Sequence, residues 1–251
     1  MKHILSRANR GLLAQFAWSN VLLGFDFDGT LAPIVKDPQK AHLRAKTREL
    51  LRKVCGLYPC VVISGRGRED VSARVKGLGV LEVIGNHGSE PWPQAGKLLH
   101  EVKRWQPILH DKLEGFRGVV VEDKGHSVAI HYRASREKKK VKAAIADAVG
   151  LLGKVRVIGG KQVVNVLPEG APHKGTALVR ARESRRCDTA IFVGDDETDE
   201  DVFSLDQPGQ LMTVRVGARG QSAAAFCLRD QKEIDPFLAE LLRLRRAGAR
   251  G

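Results

Sequence analysis

The sequence predicts an α/β fold, a doubly wound parallel sheet carrying an inserted α/β unit of different grain. Three observations predict it. Short apolar runs end abruptly in polar residues at 21–34, 60–66, 80–88 and 189–201, the form taken by strands buried on both faces. Helix-spaced segments separate the first runs, as parallel crossovers require. Between the third and fourth runs the apolar residues instead alternate one by one, which suits antiparallel hairpins with one open face.

The opening run, VLLGFDFDGTLAPI at 21–34, ends in Asp26 and Asp28, with Gly29 to free the turn and Pro33 to stop the strand. Two acids at i and i+2 on a strand end point to metal binding or covalent catalysis, because ligands gather at the carboxyl ends of parallel strands. A helix follows over 42–57 through Leu43, Leu50, Leu51 and Val54. The run at 60–63 then leads into Ser64, Gly65 and Arg66. A short helix over 69–76 and a strand over 80–84 come next, and that strand ends in Gly85, Asn86, His87 and Gly88.

At 89–96 the Pro/Gly-rich passage SEPWPQAG breaks the pattern. A helix over 98–113 is expected, then strands over 119–122 and 126–133 turning at Gly125. In the second of these, His126, Val128, Ile130 and Tyr132 face one way, and Ser127, Ala129, His131 and Arg133 the other. A helix over 137–152 and strands over 154–158 and 162–167, separated by Gly159 and Gly160, complete the inserted unit. Pro168, Gly170 and Pro172 mark the return to the first pattern. That return brings a helix over 174–184, a buried strand over 189–193 ending in GDDETDED, a helix start at 202–205 and a final strand over 212–216.

Composition narrows the function. With 251 residues, 43% of them hydrophobic, the chain can bury a sizeable core. The formal charge of +13 raises the question of nucleic acid, but the cations are dispersed. The clusters at 136–140 and 243–250 lack interleaved aromatics, so they read as a solvated helix face and a frayed basic tail. Cys55, Cys60, Cys187 and Cys227 form no Cys-x-x-Cys pair, so reduced thiols are expected, not a zinc site or a disulfide framework. Arg7 and Arg10 interrupt the N-terminal apolar residues, and no stretch is long enough to span a bilayer, which makes the cytoplasm the expected compartment.

On one rim of a parallel sheet, Asp26 and Asp28, Ser64, Lys174 and the acidic run from Asp195 would meet. Asp26 and Asp195 are suited to hold magnesium, which takes oxygen ligands. Asp26 could then attack phosphorus, Asp28 move protons, and Ser64 and Lys174 bind the equatorial oxygens. Taken singly, Ser64 is an ordinary helix cap, Lys174 a solvated cation and the acidic run a complement to a helix N-terminus. The spacing of the acids is not that of an EF-hand, and GAPHKGT lacks the P-loop lysine–threonine pair. The specificity lies in the combination and its order.

DFDGTLAPI, ISGR, the Lys174-Gly175 pair and GDDETDED, in that order, resemble the four motifs of the haloacid dehalogenase-type phosphatases. The insertion is similar to the α/β cap of their type C2 members. Within that superfamily the chain resembles the trehalose-6-phosphate phosphatases, through DFDGTLAPI, GNHG, Glu122-Asp123-Lys124, His131-Tyr132-Arg133 and GDDETDE, over about 16–242. The resemblance implies a Rossmann-like core over 1–104 and 171–251 with a C2 cap over 105–170. It implies that Asp26 is the nucleophile and Asp28 the general acid/base, and that Asp26, Asp28 (through its carbonyl), Asp195 and Asp199 hold Mg2+. Ser64 and Lys174 would bind the phosphate. Gly65, Arg66, Asn86 and His87 from the core, with Glu122, Lys124, Arg133 and Asn165 from the cap, would line the substrate, and His131 would orient the cap strand. One departure stands out. Where the family has glutamate in a pattern like Glu-Val-Arg-Pro, this chain has Asn165-Val166-Leu167-Pro168, and a neutral amide binds a hydroxyl roughly half as strongly as a carboxylate.

The expected activity is hydrolysis of trehalose 6-phosphate, with a trehalose-6-phosphate synthase as a possible partner and neither nucleic acid nor membrane involved. Another phosphorylated sugar or glycoside, such as sucrose 6-phosphate or a glucosylglycerol or mannosylglycerate precursor, is the alternative substrate. A non-catalytic sugar-phosphate sensor is a different class, and the intact acids argue against it.

Overall fold

A computed structural model describes residues 1–91, 95–125, 127–160, 162–217 and 220–248. It divides into two compact units, one formed by Met1–Gly88 with His173–Gly251 and the other by Ser89–Pro172. The second unit therefore begins before the expected position 105. The helix over 95–113 packs against the other helix and the strands of that unit.

In chain order the first unit contains β1 (Lys2–His3), α1 (Arg10–Trp18), β2 (Val21–Phe25), α2 (Ala45–Cys55), β3 (Cys60–Ile63), α3 (Arg68–Arg74) and β4 (Glu82–Ile84). The second holds α4 (Ala95–Leu113), β5 (Val120–Asp123), β6 (Val128–His131), α5 (Lys138–Gly150), β7 (Val155–Gly160) and β8 (Val163–Pro168). The first resumes with α6 (Lys174–Ser184), β9 (Thr189–Gly194), α7 (Glu200–Phe203), β10 (Leu211–Val216), β11 (Phe226–Leu228) and α8 (Ile234–Gly248).

The core sheet runs β1-β11-β10-β9-β2-β3-β4, and every pairing in it is parallel. β2 and β3 lie inside the sheet and are buried along their whole length. That is why their sequences read as unbroken apolar runs. On one face, Leu13 and Phe16 of α1, Leu51 and Val54 of α2 and Phe237 and Leu241 of α8 join Val21, Leu23 and Phe25 in a single core. Fully burying a side chain such as Leu51 contributes about 1.5–3 kcal/mol. On the other face α6 packs so closely that a side chain on Gly24 would lie 2.8 Å from Leu178 Cδ1. Helices on both faces make the sheet doubly wound, as the sequence predicts.

Three details differ from expectation. β10 is not the last strand, because β11 follows and the chain start adds β1 beside it. Both are too short for periodicity to reveal. The cations at 243–246 lie on α8 and do not form a frayed tail. Arg245 Nη1 donates to the carbonyls of Ala17 and Ser19, each at 3.0 Å, and its guanidinium sits 4.7 Å from the centre of the Tyr58 ring. Residues 249–250 of that cluster lie outside the described residues. Gly159 and Gly160 belong to β7, and the turn into β8 passes through Gln162 at φ 66°.

The second unit is an antiparallel sheet ordered β5-β6-β8-β7. Val102, Trp105 and Leu109 of α4 and Val141 and Ile145 of α5 cover the face that carries Val128, Ile130 and Val166. The opposite face carries the row Glu122, Ala129, Asn165 and Ile158 set by the strand register. Ala129 was expected on an open face and is fully buried, since a methyl group between two longer cross-strand neighbours is covered by them. His126, expected to begin that strand, lies outside the described residues.

Candidate active site

Parallel strands end on one edge, so the C-terminal ends of β2, β3, β4 and β9 share a rim. Asp26 extends the β2 ladder by one residue, its N–H donating to Val193 O at 2.9 Å, and its side chain is buried. The chain then folds back tightly, with Gly29 N donating to Ala32 O and Ala32 N to Phe27 O, both at 2.8 Å. Gly29 adopts φ 85°, and a Cβ there would lie 2.0 Å from Asp195 Oδ2. Only glycine lets this loop lie against the Asp195 carboxylate. Gln231 Nε2 steadies the loop by donating to Thr30 O at 2.9 Å, and Thr30 Oγ1 reaches Asp195 Oδ1 at 3.4 Å.

Lys174, the first residue of α6, is 1% exposed. Its Nζ donates to Asp26 Oδ1 and Asp199 Oδ1, each at 2.8 Å, and lies 3.8 Å from Asp196 Oδ1. Asp199 is completely buried, and its Oδ2 accepts from the backbone N–H groups of Asp195 (2.7 Å) and Asp196 (3.0 Å). Asp196 caps the same turn, Oδ1 accepting from Thr198 N at 2.9 Å and from Thr198 Oγ1 at 2.7 Å. The acidic run after β9 does complement a helix N-terminus, with Asp196 as the cap. It folds back on itself around Lys174.

Asp26, Asp195 and Asp199 each offer an oxygen within 4.8 Å of the other two. Burial pushes the Asp26 carboxyl well above the ordinary range; Lys174 opposes this, and Asp199, Asp196 and Asp195 add to it. Burial and then the neighbouring Asp199 and Asp196 raise Asp195 to about 7. Burial, opposed by Lys174, raises Asp199 to about 6. At Asp196 burial is outweighed by Lys174 and the Thr198 hydrogen bond, which hold it near 2. Burial works against the Lys174 ammonium, but Asp199, Asp26 and Asp196 hold its pKa above the usual lysine range. One cation among the buried Asp26 and Asp199, the half-buried Asp195 and the exposed Asp196 leaves excess negative charge where solvation is reduced. An all-oxygen donor set of this kind fits a hard metal cation.

Asp28 stands apart from that cluster. Its carboxylate faces Arg66, with Arg66 Nε to Oδ2 at 2.5 Å and Arg66 Nη2 to Oδ1 at 2.7 Å. Ser64, at the end of β3, is 1% exposed, and its Oγ accepts from Arg66 N at 3.2 Å. It does not cap α3, whose N-cap is Gly67. Gly65 lies under the His87 imidazole, where an added Cβ would be 2.4 Å from Cε1. Asn86 and His87 are buried at φ 46° and 57°, in a region most side chains avoid. Asn86 N donates to Arg66 O and His87 N to Ser64 O, so the turns after β3 and β4 are pinned to each other.

In the second unit the register places Glu122 and Asn165 either side of Ala129 on the sheet face away from α4 and α5. His131 Nε2 lies 2.7 Å from Glu122 Oε2, so this histidine orients a carboxylate. Asn165 is 8% exposed. Lys124 sits in the turn after β5, its N–H donating to Ser127 O at 3.0 Å, and Arg133 is exposed just past β6. Sequence reasoning missed the cap made by Asp196, the support from Gln231 and the pairing of Arg66 with Asp28.

The chain matches the family model described as trehalose-phosphatase over residues 24–226. It is 30% identical to a probable trehalose-phosphate phosphatase 3 of Oryza sativa, over 92% of this chain and 72% of the relative. It is 34% identical to a trehalose-phosphate phosphatase of Mycobacterium tuberculosis, over 87% of this chain and 60% of the relative. Its fold matches that of a C. albicans trehalose-6-phosphate phosphatase C-terminal domain at a TM-score of 0.76, covering 94% of this chain and 97% of that one at 24% identity. The four motifs sit on one rim of the same parallel sheet, and the family match runs through all of them: the chain belongs to the trehalose-phosphatase family.

Proposed function

We propose that the protein hydrolyses trehalose 6-phosphate to trehalose and inorganic phosphate, with Mg2+ as its metal. The observation that carries the reading is the buried Asp26, held by Lys174 inside a cluster of carboxylates at the end of β2. Asp26, Asp195 and Asp199 would hold the ion. When bound, it supplies the positive charge that lets a phosphate dianion approach an aspartate.

Asp26 attacks phosphorus and the bond from phosphorus to the sugar oxygen breaks, leaving an aspartyl-phosphate. Asp28 delivers a proton to the departing oxygen. It then takes one from the water that attacks the aspartyl-phosphate, so inorganic phosphate leaves and Asp26 is regenerated. Lys174 fixes one Asp26 oxygen and, with Ser64, meets the charge on the equatorial phosphate oxygens. Glu122, oriented by His131, with Lys124, Arg133 and Asn165, reads the sugar hydroxyls, since carboxylates accept and cations donate hydrogen bonds.

The test is phosphate release by purified protein with Mg2+ from trehalose 6-phosphate, sucrose 6-phosphate and glucose 6-phosphate. The trehalose ester is expected to be far the fastest. Equal rates across the panel would overturn the substrate, and an Asp26→Asn variant as active as wild type would overturn the mechanism.

A further inference from the structure

The carboxylate of Asp28 is gripped through both oxygens by Arg66 in the parallel two-bond geometry that fixes orientation as well as distance. Arg66 is itself held. Its Nη1 donates to Asp70 Oδ2 at 3.0 Å, its Nη2 also donates to Pro38 O at 2.8 Å, and its guanidinium lies 5.8 Å from the centre of the Phe27 ring. Asp70 passes the contact on, because its other oxygen accepts from Arg74 Nε at 2.9 Å. Arg74 ends the chain of contacts on backbone, donating through Nη1 to Ala41 O at 2.5 Å and Gln39 O at 3.3 Å. The side chains of Arg66 and Arg74 are 14% and 9% exposed.

Asp70 and Arg74 lie one turn apart on α3, and Arg66 reaches Asp70 from the loop just before that helix. A guanidinium meant chiefly for substrate would keep N–H groups turned towards it. Here Nε, Nη1 and Nη2 all donate within the protein. A carboxylate that must meet a departing oxygen and then a water at about 3 Å gains from having its rotamer set in advance.

We propose that Arg66, Asp70 and Arg74 form a positioning relay that sets the resting orientation of the Asp28 carboxylate, so that the loop after β3 and the helix α3, which bear no reacting group, govern both proton transfers. The inference rests on the reading of Asp28 as the proton carrier. Asp70 is the residue to change, because Asp70→Asn keeps its shape and removes the charge that anchors Arg66.

Two esters separate positioning from general damage. The sugar alcohol of trehalose 6-phosphate leaves only with a proton, whereas the nitrophenolate of p-nitrophenyl phosphate leaves without one. Asp70→Asn is expected to lower kcat for trehalose 6-phosphate by at least about tenfold, with KM changed by less than about twofold. The first-turnover release of nitrophenolate, which reports attack by Asp26 alone, is expected to stay within about twofold of wild type. An equal loss on both esters overturns the relay in favour of a structural role, and so does an unchanged kcat on the sugar ester. Wild-type protein that releases phosphate from neither ester overturns the functional reading, and the relay with it.

Discussion

Replacing Lys174 by methionine tests the electrostatics of the site most directly. The ammonium lies 2.8 Å from both Asp26 Oδ1 and Asp199 Oδ1 and 3.8 Å from Asp196 Oδ1, at 1% exposure. Methionine fills a similar volume but leaves these carboxylates and Asp195 without a cation. Breaking a buried pair by removing one partner costs about 3–5 kcal/mol. At ~2–4 °C per kcal/mol for a chain of this size, the melting temperature in chelator at pH 7.5 is expected to fall by roughly 6–20 °C. The loss has a defined pH dependence. Burial raises Asp195 to about 7 and Asp199 to about 6, above the ordinary aspartate range. Their contribution to stability is therefore complete below about pH 4 and lost as pH rises through 6 and 7. At pH 5.5 both carboxyls take up protons, and the gap between variant and wild type is expected to narrow. Thermal melts of both proteins in chelator at the two pH values make the measurement. A variant as stable as wild type at pH 7.5, or a deficit of equal size at pH 5.5, would refute the argument.

Two further outcomes are expected. Gly29→Ala forces a Cβ to within 2.0 Å of Asp195 Oδ2 at φ 85°; backbone strain of about 1–2 kcal/mol and displacement of a ligand should weaken Mg2+ binding in calorimetry by about tenfold or more. Arg245→Ala removes two bonds to carbonyls and the stacking on Tyr58. It is expected to cost about 2–4 kcal/mol in urea denaturation while leaving phosphate release unchanged.

Legibility followed burial and length. β3 occurs over the run that was read, and α6 starts and stops where its spacing indicated, because strands buried on both faces and helices between turn residues leave local signatures. β1 and β11 were not legible. Strands of two and three residues exist only because a neighbouring strand offers free backbone groups, and no pattern within them encodes that. Asp26, Ser64 and the run from Asp195 were read from strand ends, and Lys174 from the start of a helix. Arg66 was expected to line the substrate, and its bonds to Asp28 were not foreseen. Its partner is 38 residues away in sequence, and spacing within a helix cannot reveal a bond to another strand end.

The sequence by itself determined the order of layers, the four polar strand ends and the presence of an inserted antiparallel unit. Each depends on hydrophobic period and turn chemistry, which are local. Tertiary structure alone decided how the charges are shared: which carboxylates Lys174 neutralises, which of them retain excess charge fit for a cation, and which carboxylate Arg66 withdraws from the cluster. Coulomb interactions depend on separation and burial through space, and groups distant in the chain meet at hydrogen-bond distance only after the parallel sheet has brought its strand ends together.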